Sequence, residues 1–257
     1  MRAMPFLLAI LAALCLAPGA EARRKPALAV QLNKGDVDLD ARTIGFRLNR
    51  PADSAELTVF DEDGSKLAQQ VEVYDGAPAG TPLTIGWPEL PRGVENFRIE
   101  LRFTDTDEFW VGLSICRFQG YIPHEEVVFE SGKWEIRPGE QHKLDEAIPR
   151  IIEMLERSRV CADQGNALYV AGYTDTVGSI ADNRELSRKR ARAIAHYFLA
   201  NGLAKRKIAV YVRGFGEEVL AVPTGDNVDE ERNRRADYIV SSFPPNLPGP
   251  GSWTRVQ

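Results

Sequence analysis

Alternating apolar and polar residues dominate the first half of the chain. Alternation with a period of two residues is typical of β-strands that bury one face, and clusters of Asp, Gly and Pro separate the alternating runs. The pattern predicts an all-β sandwich domain, immunoglobulin-like in architecture, over residues 27–118. Its predicted strands are residues 43–48, 55–60, 66–74, 97–103 and 109–118.

The period changes beyond residue 127, where short apolar strands alternate with helices. Apolar residues repeat at helical spacing from Leu144 to Leu155 and again from Leu186 to Leu199. The order β-α-β-α-β-β predicts an α+β domain over residues 127–241. The predicted strands are residues 127–129, 167–171, 208–212 and 236–241.

Three details complete the predicted organisation. Pro149 interrupts the first helical run, so we expect either a kink there or a helix whose longer part begins at that residue. Residues 119–126 separate the two patterns and are predicted to be a junction. Residues 242–257 form a tail rich in Pro and Gly, for which the composition predicts no fixed structure.

An export signal is predicted at residues 1–22. Arg2 precedes an apolar run over residues 6–17, which has the length of a signal segment and is too short to span a bilayer. Ala20 and Ala22 place small residues where a signal peptidase acts, so we expect cleavage after Ala22. An uncleaved anchor is the alternative. Cys15 lies inside the signal and lacks the flanking residues that lipid attachment requires.

Cys116 and Cys161 are the cysteines that remain after cleavage. Because disulfides form in oxidising compartments outside the cytoplasm, two cysteines in an exported chain predict a Cys116–Cys161 bond. Two separate buried thiols are the alternative.

Net charge and residue spacing exclude several classes of function. A formal net charge of −5 argues against nucleic-acid binding, which requires a basic surface. His124, His142 and His196 lack metal-ligand spacing with Cys or Glu, and no serine lies in a nucleophile elbow. We therefore predict no enzymatic activity, no metal and no cofactor.

The chemistry of the second half centres on Asp175 and Arg190. Asp175 lies on a tight loop that leaves a strand, and Arg190 borders the apolar face of the next predicted helix. A partly desolvated guanidinium requires an anionic partner, and Asp175 is the nearest candidate in sequence. Held side by side, the carboxylate can bind an ammonium and the guanidinium can bind a carboxylate, which together suit a zwitterion. A plain salt bridge that orders the loop is the alternative.

Neighbouring groups extend this candidate site. Asn183 lies near the predicted helix start, where it can cap the helix and offer an amide to a ligand. Backbone N–H groups from Thr176 to Gly178 can form a small anion-binding nest.

Four short motifs follow one another in this half: T-D-x-x-G, N-x-x-L-S-x-x-R-A, G-x-G-E and N-R-R. Their residues here are Thr174, Asp175, Gly178; Asn183, Leu186, Ser187, Arg190, Ala191; Gly214, Gly216, Glu217; and Asn233, Arg234, Arg235. In this order the segment resembles the OmpA-like C-terminal domain, the peptidoglycan-binding module also found in peptidoglycan-associated lipoproteins and flagellar stator proteins.

The resemblance implies a function and a set of site residues. It implies that Asp175 and Arg190 grip the diaminopimelate residue of the peptidoglycan stem peptide. The remaining predicted site residues are Thr174, Thr176, Gly178, Asn183, Arg234 and Arg235. The segment departs from the family at Tyr173, where histidine is common. It also departs at Asp229 and Glu230, where a Gly-Arg pair is common, and this loss of positive charge predicts weaker binding.

The expected protein is therefore an exported, non-enzymatic protein of a Gram-negative cell envelope, periplasmic or outer-membrane-associated. It would bind peptidoglycan non-covalently and so tether or organise the envelope. The alternative is a scaffold that no longer binds the cell wall and contacts another envelope protein through the β-sandwich.

Overall fold

A computed structural model describes residues 26–130, 132–158, 165–249 and 251–256. The chain divides into two compact units, the first ending at Ile115 and the second beginning at Cys116. The predicted signal at residues 1–22 and Cys161 lie outside the described residues. Cleavage after Ala22 and the Cys116–Cys161 disulfide therefore stay predictions. Cys116 itself is buried.

The first unit consists of β-strands in two sheets. One sheet has the strand order β5-β4-β7-β8, and the other is built around β3, which pairs with β1, β2 and β6. Their buried faces meet at Phe46 and Phe103, whose ring centroids lie 4.5 Å apart. The strands are β1 Val30–Gln31, β2 Val37–Asp38, β3 Thr43–Leu48, β4 Ala52–Phe60, β5 Lys66–Ala77, β6 Leu83–Gly86, β7 Phe97–Asp105 and β8 Trp110–Arg117.

Each of the predicted strands of this unit is present. The residues at β3 match the prediction, and β4 and β5 form the expected antiparallel hairpin. The additional strands β1, β2 and β6 are short, and too few residues alternate in them for the pattern to be recognised. Immunoglobulin-like architecture stays a prediction for this unit.

The second unit packs two helices against one sheet. The strand order is β13-β11-β10-β12-β9, in which β10 and β11 are parallel and the other pairs are antiparallel. The core lies between the sheet and the helices and includes Leu144, Ile151, Ile194 and Phe198. The elements are β9 Gln119–Tyr121, α1 Gln141–Arg157, β10 Ala167–Tyr173, α2 Ile180–Phe198, β11 Ala209–Gly216, β12 Ala236–Ser241 and β13 Thr254–Arg255.

Helix α1 continues through Pro149. The prediction that the longer part of this helix begins at Pro149 is therefore wrong, because the helix already begins at Gln141. Helix α2 ends as expected near Asn201 and Gly202, where Gly202 adopts a φ of +140°.

The first strand of this unit was predicted in the wrong place. Residues 127–129 form no strand, and the supposed junction instead contains β9, which pairs with β12. The apolar residues that suggested a strand include Val127, which is buried although its backbone lies outside a sheet. The backbone of Val128 uses side-chain partners in place of a ladder: its N–H donates to Glu140 at 2.9 Å, and its carbonyl accepts from Arg137 at 3.1 Å.

The described part of the tail has defined structure, contrary to the prediction from its composition. Strand β13 pairs with β11, and Trp253 packs against Tyr169 with ring centroids 5.0 Å apart. Arg213 donates hydrogen bonds to the carbonyl oxygens of Leu247 and Gly249. The physical reason is that the sheet face opposite the helices is aromatic, so the tail covers apolar surface there.

Candidate functional site

A loop between β10 and α2 carries Asp175. The backbone N–H of Thr174 donates to the carbonyl of Gly216 at 2.9 Å, which holds the start of the loop against β11. Gly178 has a φ of +106°, a conformation that favours glycine. Helix α2 then begins with Ser179 as its N-cap, because the Ser179 hydroxyl accepts from the N–H of Asp182 at 3.1 Å.

Glycines let α2 lie directly on the sheet. A Cβ atom on Gly214 would lie 2.4 Å from the backbone N of Arg188, and one on Gly172 would lie 2.3 Å from the carbonyl O of Ser187. The Ser187 hydroxyl accepts from the N–H of Gly216 at 2.9 Å and so ties the helix to β11. This close approach fixes Arg190, one turn further along α2, relative to the loop that carries Asp175.

A cleft of about 430 Å³ opens between α2, the Asp175 loop and two further segments, which contribute Phe129, Gly132 and Trp134 on one side and Asp229 and Arg234 on the other. Its walls combine acidic, basic and aromatic side chains. The lining residues are Phe129, Gly132, Trp134, Thr174, Asp175, Val177, Gly178, Asp182, Asn183, Glu185, Leu186, Lys189, Arg190, Asp229 and Arg234.

Asp175 is 8% exposed and is held by Arg234. Nη1 of Arg234 donates to Oδ2 of Asp175 at 2.6 Å, and the same guanidinium pairs with Asp229. The ion-pair partner of Asp175 in the described part of the chain is therefore Arg234 and not Arg190. The alternative of a plain Asp175–Arg190 salt bridge is wrong, although both residues line the same cleft.

Arg190 is 5% exposed and is anchored by backbone carbonyls. Its Nε donates to the carbonyl of Lys133 at 3.0 Å, its Nη2 donates to that of Glu130 at 3.2 Å, and its guanidinium lies 5.0 Å from the ring centroid of Phe129. Burial lowers the pKa of Arg190 to about 10, and the charge of Asp175 opposes this shift. A guanidinium has five N–H donors, so these contacts leave donors for an anion in the cleft.

Asn183 braces the loop instead of capping the helix. Its Nδ2 lies 3.0 Å from the carbonyl O of Val177 and 2.5 Å from Oε2 of Glu217. The predicted capping role is wrong, since Ser179 occupies the N-cap position. Asn233 acts in a similar way: its side chain accepts from the N–H of Val222 and donates to the carbonyl of Val222, both at 2.9 Å.

Two predicted site residues lie outside the cleft lining. The Thr176 hydroxyl donates to the carbonyl of Gly225 at 2.7 Å and accepts from the N–H of Val228 at 3.0 Å, which ties two loops together. Arg235 lies 3.8 Å from the ring centroid of Tyr173. Successive side chains of an extended chain point to opposite sides, so Arg234 enters the cleft and Arg235 does not.

Thr174 and Gly178, two further predicted site residues, line the cleft. The buried Oγ1 of Thr174 has no hydrogen-bond partner among the described residues. A buried hydroxyl without a partner is uncommon in proteins, and here it lies in the wall of a cavity that a ligand can enter.

Several lining residues were missed by the sequence reasoning. Asp182, Glu185 and Lys189 follow one side of α2 at helical spacing. Their spacing of three and four residues along the predicted helix is the sequence signal that identifies them. Trp134 has no such sequence signal. It lies in an irregular segment that is distant in sequence from the Asp175 loop and α2, and the fold brings it to the cleft.

Residues 128–234 match the model of the OmpA family. This segment is an OmpA-family domain. It is 35% identical over 114 residues to outer membrane protein P5 of Haemophilus influenzae, a match that covers 44% of this chain and 28% of P5. It is 34% identical over 111 residues to outer membrane protein A of Klebsiella pneumoniae, which covers 43% of this chain and 29% of that protein.

The chain thus spans less than a third of the length of either relative. Among solved structures, the peptidoglycan-associated lipoprotein of Burkholderia pseudomallei is similar at 19% identity and a TM-score of 0.33, over 45% of this chain and 90% of that one. Within the described ranges, neither α1 nor α2 is long and apolar enough to cross a membrane.

The motif residues of the OmpA-family domain divide into two groups. Asp175, Arg190 and Arg234 present charges to the cleft. Asn183, Ser187, Gly214 and Asn233 hold the surrounding backbone in place. The arrangement can bind a ligand that carries both an ammonium and a carboxylate.

Proposed function

We propose that the OmpA-family domain binds peptidoglycan non-covalently, and that its cleft holds the free amino-acid head of diaminopimelate in the stem peptide. The observation that carries the proposal is that Asp175 and Arg190, both less than a tenth exposed, line one open cleft without pairing with each other. Buried charges are costly unless they are paired. Arg190 has no carboxylate partner in the described part of the chain, so the carboxylate of a zwitterion supplies its counter-charge, and the ammonium adds a second cation beside Asp175, which already pairs with Arg234.

Each charge has a matching group on such a ligand. A ligand carboxylate can accept from the donors of Arg190 that the carbonyls of Glu130 and Lys133 leave available. A ligand ammonium can donate to Asp175, whose Oδ1 accepts a single hydrogen bond from the described residues, at 3.3 Å from the N–H of Val177. The hydroxyl of Thr174 supplies one further polar group.

Asp229 affects the affinity of this site for a ligand carboxylate. It pairs with Arg234, which also holds Asp175, so it neutralises a cation that a ligand carboxylate could otherwise use. Glu230 instead forms an ion pair with Arg232, in which Oε2 of Glu230 lies 2.9 Å from Nη2 of Arg232. Glu230 does not line the cleft. Of the two acidic residues that depart from the family pattern, Asp229 is the one that we expect to weaken binding.

A place in the cell envelope follows from this proposal. The relatives named above are outer membrane proteins, and the predicted export signal would deliver the chain to the periplasm of a Gram-negative bacterium. There the domain would tether or organise the envelope by holding the cell wall.

The competing hypothesis is a scaffold whose first unit contacts another envelope protein. One observation favours a contact role for this unit: Val71 and Val73 of β5 are 53% and 62% exposed, while Glu72 between them lies on the core-facing side opposite Ala55. Exposed apolar side chains of this kind can mark a contact surface. A contact role for the first unit is compatible with cell-wall binding, but the scaffold hypothesis differs from the proposal because its cleft would bind no cell wall.

Sedimentation of the full chain with purified sacculi that contain diaminopimelate tests the proposal. Arg190→Ala should weaken binding about tenfold or more, because a hydrogen bond to a charged group contributes about 1.5–3 kcal/mol. Arg192→Ala, on the same helix but outside the cleft lining, is the matched control and should bind as wild type does. Circular dichroism confirms that each variant is folded. Equal sedimentation of wild type and Arg190→Ala would favour the scaffold.

A further inference from the structure

Lys189 stands beside Arg190 on α2 and lines the same cleft, but the diaminopimelate head does not require it. Its ammonium has no close carboxylate partner among the described residues. The nearest contact is Oε1 of Glu185 at 3.9 Å, the outer limit of an ion pair. Glu185 is already held by Arg188, whose Nε and Nη2 lie 2.9 Å and 2.7 Å from its carboxylate oxygens.

An aromatic ring positions this ammonium. Nζ of Lys189 lies 4.3 Å from the ring centroid of Trp134, within the range of a cation–π contact. Trp134 is 39% exposed and the Lys189 side chain 40%, so both are accessible from the cleft. The ammonium is therefore held in place while most of its hydrogen-bonding capacity remains available.

One segment positions two adjacent cations. The carbonyl of Lys133 accepts from Nε of Arg190, and the ring of the next residue, Trp134, supports the ammonium of Lys189. Two neighbouring residues of one segment thus hold two neighbouring cations of one helix. A single carboxylate requires one of these cations. The presence of two, each fixed separately, suits a ligand with two carboxylates.

We propose that Lys189 and Trp134 form a second carboxylate subsite, which binds the α-carboxylate of the D-glutamyl residue next to diaminopimelate. This inference rests on the proposed function. The D-glutamyl residue is joined to diaminopimelate through its side-chain carboxyl group, so its α-carboxylate is free in the unmodified stem peptide. Amidation of that group removes the charge, so the subsite would distinguish amidated from unmodified cell wall.

Calorimetric titration of the full chain with two synthetic tripeptides tests this subsite. Both contain L-alanine, γ-linked D-glutamate and diaminopimelate, and one has the D-glutamyl α-carboxylate amidated. Wild type should bind the amidated peptide about fivefold more weakly, the size expected for a partly exposed ion pair. Lys189→Met should bind the unmodified peptide about fivefold more weakly than wild type and should not distinguish the two peptides. Lys205→Met, an exposed lysine outside the cleft lining, should behave as wild type.

The outcomes separate failure of the subsite from failure of the proposed function. The subsite is overturned if wild type binds both peptides equally. It is also overturned if amidation weakens the binding of the peptide to wild type and to Lys189→Met by the same factor. In both cases the proposal that the cleft binds diaminopimelate stands. If wild type binds neither peptide, the proposed function fails, and the subsite with it. Trp134→Leu gives a second measurement: it should reduce the discrimination between the peptides while Arg190 keeps its carbonyl partners.

Discussion

Arg234 donates from Nη1 to Oδ2 of Asp175 at 2.6 Å, although the two residues are 59 positions apart in sequence. The same guanidinium pairs with Asp229. One cation is therefore shared between two carboxylates in the cleft. A ligand ammonium has to share Asp175 with Arg234, and a ligand carboxylate has to compete with Asp229 for Arg234.

Replacement of Asp175 by Asn tests the ammonium side of the cleft. The change is nearly isosteric and removes the charge, so we expect binding to sacculi to weaken about tenfold. The melting temperature should change little, because Arg234 keeps its pair with Asp229. Sedimentation and thermal melting of the same preparation measure the two effects. Unchanged binding would remove Asp175 from the site.

Replacement of Asp229 by Asn tests the competition for Arg234. Without this carboxylate, Arg234 can contact a ligand carboxylate, so binding to sacculi should strengthen about threefold, as expected for an exposed charge. Asp226→Asn is the control, because Asp226 is exposed and does not line the cleft. Weaker binding by Asp229→Asn alone would show that Asp229 contacts the ligand directly.

Replacement of Gly214 by Ala tests the contact between α2 and the sheet. The new methyl group would lie 2.4 Å from the backbone N of Arg188, which cannot move without the helix. We expect a loss of about 1–3 kcal/mol in the free energy of unfolding, together with weaker binding. Gly225→Ala, where a Cβ would meet nothing within 4 Å, should unfold at the wild-type urea concentration. Equal midpoints for the two variants would contradict the close approach.

Tyr74 gives the first unit a pH-dependent contribution to stability. Its hydroxyl donates to the carbonyl of Thr84 at 2.8 Å, and burial, assisted by the charge of Glu72, raises its pKa from 10.0 to about 12. The folded state therefore keeps a proton that the unfolded state releases. The contribution is complete below pH 10 and is lost as the pH rises towards 12.

Tyr74→Phe measures this contribution. At neutral pH the variant should be less stable by about 1 kcal/mol, the net value of one hydrogen bond. The difference should shrink as the pH rises above 10. Urea denaturation of both proteins at several pH values gives the comparison. A difference in stability that stays constant up to pH 12 would show that folding does not raise the pKa of the Tyr74 phenol.

Local patterns were enough to predict the elements that bury one face. Strand β3 shows strict alternation, and α2 repeats its apolar residues at helical spacing, so both were found. The pattern failed at Val128, because hydrogen bonds from Glu140 and Arg137 replace strand pairing there. It failed again in the tail, where the abundance of Pro and Gly concealed Trp253, which packs on the sheet.

The sequence named residues that line the cleft, but it did not predict the ion pair between Asp175 and Arg234. Asp175 and Arg190 were found because the loop and the helix that carry them are close in sequence. Arg234, the ion-pair partner of Asp175, is brought to it by β12, which pairs with β10. Such a partner depends on sheet topology, and a single sequence does not reveal it. For the same reason Thr176 and Arg235 were included, although they stabilise loops and a ring contact outside the cleft.

The direct contact of α2 with the sheet has a kinetic consequence. Gly172 and Gly214 allow the backbone of α2 to touch the sheet, and the Ser187 hydroxyl bonds to the backbone of β11, so the α2 wall of the cleft is in place before a ligand arrives. Association then needs no slow rearrangement, and differences in affinity appear mainly as differences in residence time. A variant of the cleft such as Arg190→Ala should therefore shorten the residence time on the cell wall more than it slows association.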